Sequence, residues 1–231
     1  TLCALEVTEA LDAQPIDPPT ISMTVGVNDS PLAGREGDKV QSRVIRDRLL
    51  KEAEANVAIR VTETQGSDAY EVAGRGELQL GVLVEDTRGS GVLNRVFSHY
   101  EPHKGFIEGR LKGVLVSNSD GDTAAFALWN LEDRGVMFVG AGEKTYQGMI
   151  IGENSRSDDL DVNPIKGKQL TNVRAAGKDE AVRLTPPRRP SLEQAIAYIE
   201  EDELVEVTPK SIRLRKQVLN PSFRKKRVRA D

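Results

Sequence analysis

Ile21-Ser22-Met23-Thr24-Val25-Gly26-Val27 alternates apolar residues with small or polar ones, the two-residue period of a strand with one buried face. What comes after it decides the fold. Asn28 to Asp38 carries Pro31, Gly34 and Gly37 and reads as a loop. From Gln41 to Ala55, Ile45, Leu49 and Ala53 recur at four-residue steps, Val44 and Leu50 widen the stripe, and charges fill the rest. That spacing predicts an amphipathic helix. Val57, Ile59 and Val61 alternate again, Ala69 to Ala73 follows across the Gly66-Ser67-Asp68 turn, and Glu77 to Glu85 regains helical character through Leu78, Val82 and Leu83. Strand, helix, strand, strand, helix is most of a split βαβ, ferredoxin-like unit, in which helices cover one face of an antiparallel sheet.

On the N-terminal side of this unit, Gln14-Pro15-Ile16-Asp17-Pro18-Pro19 reads as a strand end and a linker, because proline fixes φ and removes a donor. On the C-terminal side the texture changes. Residues 113–118, 124–131, 136–139, 149–153, 181–185, 204–207 and 212–215 are short β-rich runs separated by Gly, Asn, Asp and Pro turns, which predicts a mostly β, barrel-like or sandwich domain. One helix interrupts it, with Ser191 as N-cap after Pro190 and Leu192, Ala195, Ile196 and Ile199 as its apolar stripe. The expected fold class is α+β. The long polar stretch between Gly152 and Lys178 has little periodicity, which in a compact domain points to a functional or mobile segment.

Composition narrows the function classes. The chain has 231 residues, 38% of them hydrophobic, with 32 Lys plus Arg against 36 Asp plus Glu, a globular profile. A single cysteine, Cys3, excludes a disulfide scaffold and a thiolate metal site within the chain and suits a reducing compartment. No apolar run approaches the roughly 20 residues that span a bilayer, and no signal-peptide pattern opens the chain. A soluble, cytoplasmic protein is expected, and Thr1 opens on what reads as mid-chain sequence, so a fragment or processed product is expected too. From Val207 to Ala230 there are nine Lys and Arg and no acid, so the rest of the chain holds 23 basic against 36 acidic residues. An acidic body with a cationic end suits an anionic partner; a solubilising tail has the same composition.

Signals for chemistry are sparse. Val136-Met137-Phe138-Val139-Gly140-Ala141-Gly142-Glu143-Lys144-Thr145 looks like a strand entering a phosphate loop, but Glu143 stands where the P-loop needs glycine before its lysine. An ordinary glycine turn is expected there. His99 and His103 are four apart, yet Pro102 disfavours a helix between them and no third ligand is near. No nucleophile stands beside a base. In Ala73-Gly74-Arg75-Gly76-Glu77-Leu78, two glycines join strand to helix and Arg75 projects where it could meet phosphate. Residues 162–178, Val-Asn-Pro-Ile-Lys-Gly-Lys-Gln-Leu-Thr-Asn-Val-Arg-Ala-Ala-Gly-Lys, hold four cations and no acid. Such side chains suit phosphate and 2′-hydroxyl contacts. No aromatic lies among them, so base stacking of the kind seen in single-strand readers is not expected, and recognition of folded RNA by its shape and backbone fits better. A solvated loop without a partner fits the composition as well.

Three motifs carry a family resemblance: Glu71-Val72-Ala73-Gly74-Arg75-Gly76-Glu77-Leu78-Gln79-Leu80, Gly167-Lys168-Gln169-Leu170-Thr171-Asn172-Val173-Arg174-Ala175, and Asp202-Glu203-Leu204-Val205-Glu206-Val207-Thr208-Pro209 with Ser211-Ile212-Arg213. Over nearly its whole length the chain resembles the C-terminal half of the TypA/BipA translational GTPases, which are akin to elongation factor G. The first motif is shared with elongation factor G relatives; the other two are specific to the C-terminal domain. The resemblance implies that residues 1–19 end a preceding β-barrel domain, 20–85 form a ferredoxin-like third domain, 86–216 form the family-specific C-terminal domain, and 217–231 are a basic tail. A domain V-like segment normally between the last two units is missing near residues 85–91, which would show as a break in the chain there, with smaller breaks near Gly105-Phe106.

The resemblance further implies a factor for stress adaptation and large-subunit assembly that binds the ribosome, large-subunit rRNA and the acceptor region of an A-site tRNA. No catalytic residue, metal or cofactor is expected within these residues, since GTP and Mg belong to the absent G domain. Arg156, Lys166, Lys168, Arg174, Lys178, Arg213, Arg215 and Lys216 are the implied RNA contacts, with Arg75 as a further phosphate contact. A monomer off the membrane is expected. The rival reading is a protein-interaction module with a solubilising tail.

Overall fold

A computed structural model describes residues 19, 21–36, 41–64, 69–76, 91–94, 110–167 and 183–224. The predicted strand β1 forms at Ile21–Val27 and the predicted helix α1 at Ser42–Ala55. Ile45 and Leu49 are buried, whereas Val44 at the stripe's margin is exposed. Strands β2 (Arg60–Glu63) and β3 (Ala69–Gly74) follow as an antiparallel pair. Strand β4 (Gly91–Asn94) then lies on the far edge of β1, so the first four strands run in the order β4-β1-β3-β2, all antiparallel. That is the strand order of a complete split βαβ sheet. The helix expected at 77–85 and the expected chain break near 85–91 lie outside the described residues.

The remaining elements are β5 (Val114–Ser117), β6 (Gly121–Asp122), α2 (Ala125–Glu132), β7 (Gly135–Met137), β8 (Lys144–Thr145), β9 (Met149–Asn154), β10 (Leu160–Val162), α3 (Leu192–Tyr198), β11 (Glu203–Val207) and β12 (Ile212–Lys216). Strand β4 also pairs with β11, and the sheet runs on as β10-β5-β9-β12-β11-β4-β1-β3-β2, with β7 on the end of β9 and β6-β8 as a separate pair.

Register explains why the sheet is continuous. Val116, Ile150, Leu214, Val205, Leu93, Val25 and Tyr70 stand opposite one another on seven successive strands, and all are buried in one core. Side chains alternate across a strand, so one in-phase row puts seven large apolar groups on one face. Ile45 and Leu49 of α1 and Leu192, Ala195 and Ile196 of α3 cover that same face. At about 1.5–3 kcal/mol for each fully buried large side chain, the row ties the two halves of the sheet into one hydrophobic layer. Helix α3 starts as expected, with a capping box between Ser191 and Gln194. The opposite face holds a second core of Leu115, Leu128, Met137, Val139, Tyr146, Met149 and Ile151.

The mixed α+β class holds, while three details of the C-terminal half differ from expectation. The sheet is not closed into a barrel, because its strand path ends at β10 and at β2 without those strands meeting. Two helices, not one, interrupt the strands among the described residues. The run at 124–131 is helix α2: Ala and Leu favour helix, and Ala127 and Leu128 turn inward while Trp129 turns outward and Phe126 is half-buried. Apolar residues on both sides of the helix hid its period. Residues 183–185 form no strand. No helix among the described residues is long and apolar enough to cross a membrane.

Candidate nucleic-acid interface

The cationic stretch leaves the sheet from a pinned stem. Strand β10 pairs in parallel with β5, and the Asn118 amide donates to the Val162 carbonyl at 3.0 Å. Asn163 Oδ1 then accepts from the amides of Ile165 (3.0 Å) and Lys166 (3.1 Å), an Asx turn that fixes the backbone locally. The Pro164 carbonyl accepts from the Ala124 amide at 2.9 Å, at the start of α2. Gly121 has a φ of 152°, and a Cβ there would come within 3.0 Å of Ile165 Cδ1, so glycine lets the stem close on β6. Lys166 leaves this stem with an exposed side chain. Lys168, Arg174 and Lys178 lie outside the described residues.

The chain returns along the other end of α2. The Thr185 amide donates to Glu132 Oε1 at 2.6 Å, the Arg188 amide donates to the Met137 carbonyl at 2.8 Å, and Arg189 pairs with Glu143. Both feet of the cationic segment therefore rest on one short helix. Arg156, on the turn between β9 and β10, is exposed. Its carbonyl accepts from the Gly113 amide at 2.8 Å, and Gly113 must be glycine, since a Cβ would stand 2.1 Å from the Asp158 carbonyl oxygen. Arg75 is exposed just beyond β3.

Arg213, Arg215 and Lys216 are turned inward instead of toward a partner. Arg213 is 10% exposed and pairs with Glu36 and, at 3.5 Å, with Glu206; Arg215 is 2% exposed and pairs with Asp29. Lys216 is 2% exposed and held by Asp159 (2.7 Å), Asp202 (2.8 Å) and Glu203 (2.9 Å). These three side chains are thus turned into the protein and paired with carboxylates, an arrangement whose disruption would leave a buried charge without its partner. Arg224, at the start of the basic tail, is likewise fastened, to Asp161 (2.8 Å) and to the carbonyls of Val218 and Leu219. Lys210 is exposed; residues 225–231 lie outside the described region.

The carboxylates that receive these cations escaped notice in the sequence. Glu203 and Glu206, both with no exposed surface, sit on β11 directly opposite Lys216 and Arg213 of β12. Their three-residue separation puts them on opposite faces of the sheet. Glu203 also accepts two hydrogen bonds from Arg110 (2.8 and 2.9 Å) and one from the Glu200 amide. Burial alone would raise its pKa, but the hydrogen bonds and charge of Arg110, with Lys216, outweigh that and hold it below the ordinary carboxylate value. Burial would lower the Lys216 pKa, and Glu203 and Asp159 instead raise it. On the other face, Glu206 accepts from Tyr146 (2.8 Å), Asn28 (2.8 Å) and Ser30 (2.7 Å). The signal available in the sequence was a pair of acids within one apolar strand, followed after a turn by a strand that carries Arg213, Arg215 and Lys216.

The 140–145 turn is closed on itself. The Gly140 amide donates to Glu143 Oε1 (2.9 Å), the Gly142 amide to the Thr123 carbonyl (2.8 Å), and the Glu143 amide to Thr123 Oγ1 (3.0 Å). Amides that a phosphate would need are thus spent on protein acceptors. Among the described residues no group of three or more His, Cys, Asp or Glu could hold a metal; Cys3, His99 and His103 lie outside them.

A sequence model of the TypA/BipA C-terminal domain matches residues 112–221. The chain is 39% identical, over 317 aligned positions, to the large ribosomal subunit assembly factor BipA of Escherichia coli K12, with 100% of this chain and 52% of that protein covered. The protein of the same name from Haemophilus influenzae is 37% identical (98% and 51% covered), and that from Synechocystis sp. 36% (94% and 51%). The chain spans about half the length of these curated relatives. An alignment of 317 positions against 231 residues leaves at least 86 positions with no residue of this chain opposite them.

Proposed function

The chain belongs to the TypA/BipA family and corresponds to the C-terminal half of its curated members, and on that premise we propose that it is the ribosome-binding portion of a translational GTPase acting in large-subunit assembly and stress adaptation. GTP, Mg and hydrolysis belong to the half of the relatives that lies outside the alignment. The observation that carries the reading is the hydrogen-bonded stem at 163–166, which fixes where the acid-free stretch begins, with Lys166 exposed on it. Pre-organised feet reduce the ordering cost of binding.

In this reading Lys166, Lys168, Arg174 and Lys178, with Arg156 beside the stem and Arg75 further off, meet phosphates of large-subunit rRNA and of the acceptor region of an A-site tRNA. Such a protein works as a monomer in the cytoplasm. The 86 unmatched positions belong to a domain V-like unit that relatives carry between the equivalents of Glu85 and Gly91; an alignment whose unmatched stretch falls elsewhere removes that point.

Sedimentation of the 231-residue chain with each ribosomal subunit over a salt series tests the reading. Binding should weaken linearly on a log–log plot, since each phosphate contact releases condensed counterions. Replacing Lys166, Lys168 and Arg174 together with Ala should weaken binding and flatten the slope by about two to three, at somewhat under one unit per phosphate contact. A chain that sediments with neither subunit in dilute buffer ends the proposal.

A further inference from the structure

Helix α2 carries an exposed aromatic ring, Trp129, beside a half-buried Phe126. Ala127 and Leu128 set its orientation by turning into the core, at 5% and 1% exposure. Trp129, three residues after a half-buried Phe126, is therefore the ring on the outward side; the two ring centroids are 6.2 Å apart with the planes inclined at 41°. Trp129 remains 50% exposed. A single exposed aromatic is ordinary on a protein surface. This one is different in its surroundings. At the start of the helix, the Pro164 carbonyl is bonded to the Ala124 amide and Lys166 follows two residues later, exposed. At its end, the Thr185 amide is bonded to Glu132 and Arg183 precedes it by two residues, also exposed. Glu132, three residues after Trp129 in the helix, is thus engaged by a backbone donor. Two neighbouring rings thus sit on a helix about 12 Å long, with an exposed cation beyond either end.

We propose that this face of α2 is a stacking platform for an unpaired base of single-stranded RNA, with Lys166 and Arg183 meeting the phosphates on either side. The proposal deepens the RNA-binding reading above and rests on it. Stacking platforms flanked by cations are the general solution for holding single strands, because every base has a π face and every nucleotide a phosphate. Duplex RNA is a poor occupant, since its bases are already stacked inside the helix and its edges lie in grooves. The arrangement also supplies what the 162–178 stretch lacks: cations come from the loop's feet and aromatic area from the helix between them.

Trp129 is the sole tryptophan of the chain, so intrinsic emission reports on the site alone. The 231-residue chain is titrated with a single-stranded oligoadenylate, a blunt RNA duplex of equal length, and inorganic polyphosphate. Saturable quenching by the single strand, with little from the other two, is the expected result. Trp129→Ala should weaken single-strand affinity by about 5- to 150-fold, the scale of one stacked base, and Trp129→Phe should keep most of it. Equal quenching by polyphosphate overturns the platform, as does a Trp129 shielded from acrylamide in the free chain, which would mean that its own polypeptide covers it. RNA affinity unchanged in Trp129→Ala overturns it too and leaves the ribosome reading standing. Absence of any RNA or ribosome binding by the unaltered chain removes both.

Discussion

Glu203→Ala should be among the most damaging single substitutions in the C-terminal half. The carboxylate has no exposed surface and accepts four hydrogen bonds: two from Arg110, one from Lys216 and one from the Glu200 amide. Its loss does not affect the two cations equally. Lys216 keeps Asp159 at 2.7 Å and Asp202 at 2.8 Å. Arg110, 6% exposed, keeps the Glu200 carboxylate at 3.7 Å as its charged partner, the Lys112 carbonyl at 2.7 Å, the Tyr198 carbonyl at 3.5 Å and the Tyr198 ring, 4.7 Å from its guanidinium carbon. Removing one partner of a buried ion pair costs about 3–5 kcal/mol. The residual contacts of Arg110 place the expected loss near 3 kcal/mol, or roughly 6–12 °C in Tm for a chain of this size. The assay is thermal and urea unfolding followed by far-UV circular dichroism and Trp129 emission. Arg110→Met combined with Glu203→Leu removes both charges at once and should recover most of the loss, because an apolar pair leaves no stranded charge. A Glu203→Ala protein within about 0.5 kcal/mol of the parent, or a double variant no better than the single one, would refute the reasoning.

Other consequences can be measured independently. Glu203 and Asp159 have pKa values held below their ordinary 4.5 and 3.8, so their stabilisation is full above those values and is lost as pH falls through the lowered ones; the acid limb of the stability curve should flatten in Glu203→Gln. Lys216 has a pKa raised above its ordinary 10.5, so its contribution is complete below that pH and fades as the solution becomes more alkaline through the raised value, a loss that Lys216→Met should abolish in alkaline unfolding. Tyr146→Phe deletes a buried hydroxyl donor to Glu206 and should cost about 1–3 kcal/mol in urea unfolding. Arg213→Ala should lower stability by a similar amount while leaving the ribosome affinity of the folded fraction unchanged; selective loss of affinity would return Arg213 to the interface.

Local chemistry was legible where period and type agreed. The two-residue alternation at 21–27, the stripe at 42–55 and the Ser191 cap each act over a few neighbouring residues and appear where the spacing placed them. The failure at 124–131 has an equally local cause: a half-buried Phe126 and an exposed Trp129 on an Ala- and Leu-rich helix erase the contrast between faces on which the pattern depends. The cationic end misled in a different way. Nine positive charges after Val207 looked like one surface, yet Arg213, Arg215, Lys216 and Arg224 each find an acid contributed from a distant part of the chain.

From the amino acids alone followed the α+β class, the family, the absence of a workable phosphate loop at 140–145 and the cationic run after Val162, because each depends on residue type and short spacing. Tertiary structure alone decided which charges face water and which aromatics do. The register of β11 on β12 sets Glu203 against Lys216 and Glu206 against Arg213, and the burial of Ala127 and Leu128 turns Trp129 outward between the two feet of the loop. Whether a charge or a ring is available to a partner depends on what the rest of the chain brings to within a few ångströms of it, and that distance is a property of the fold.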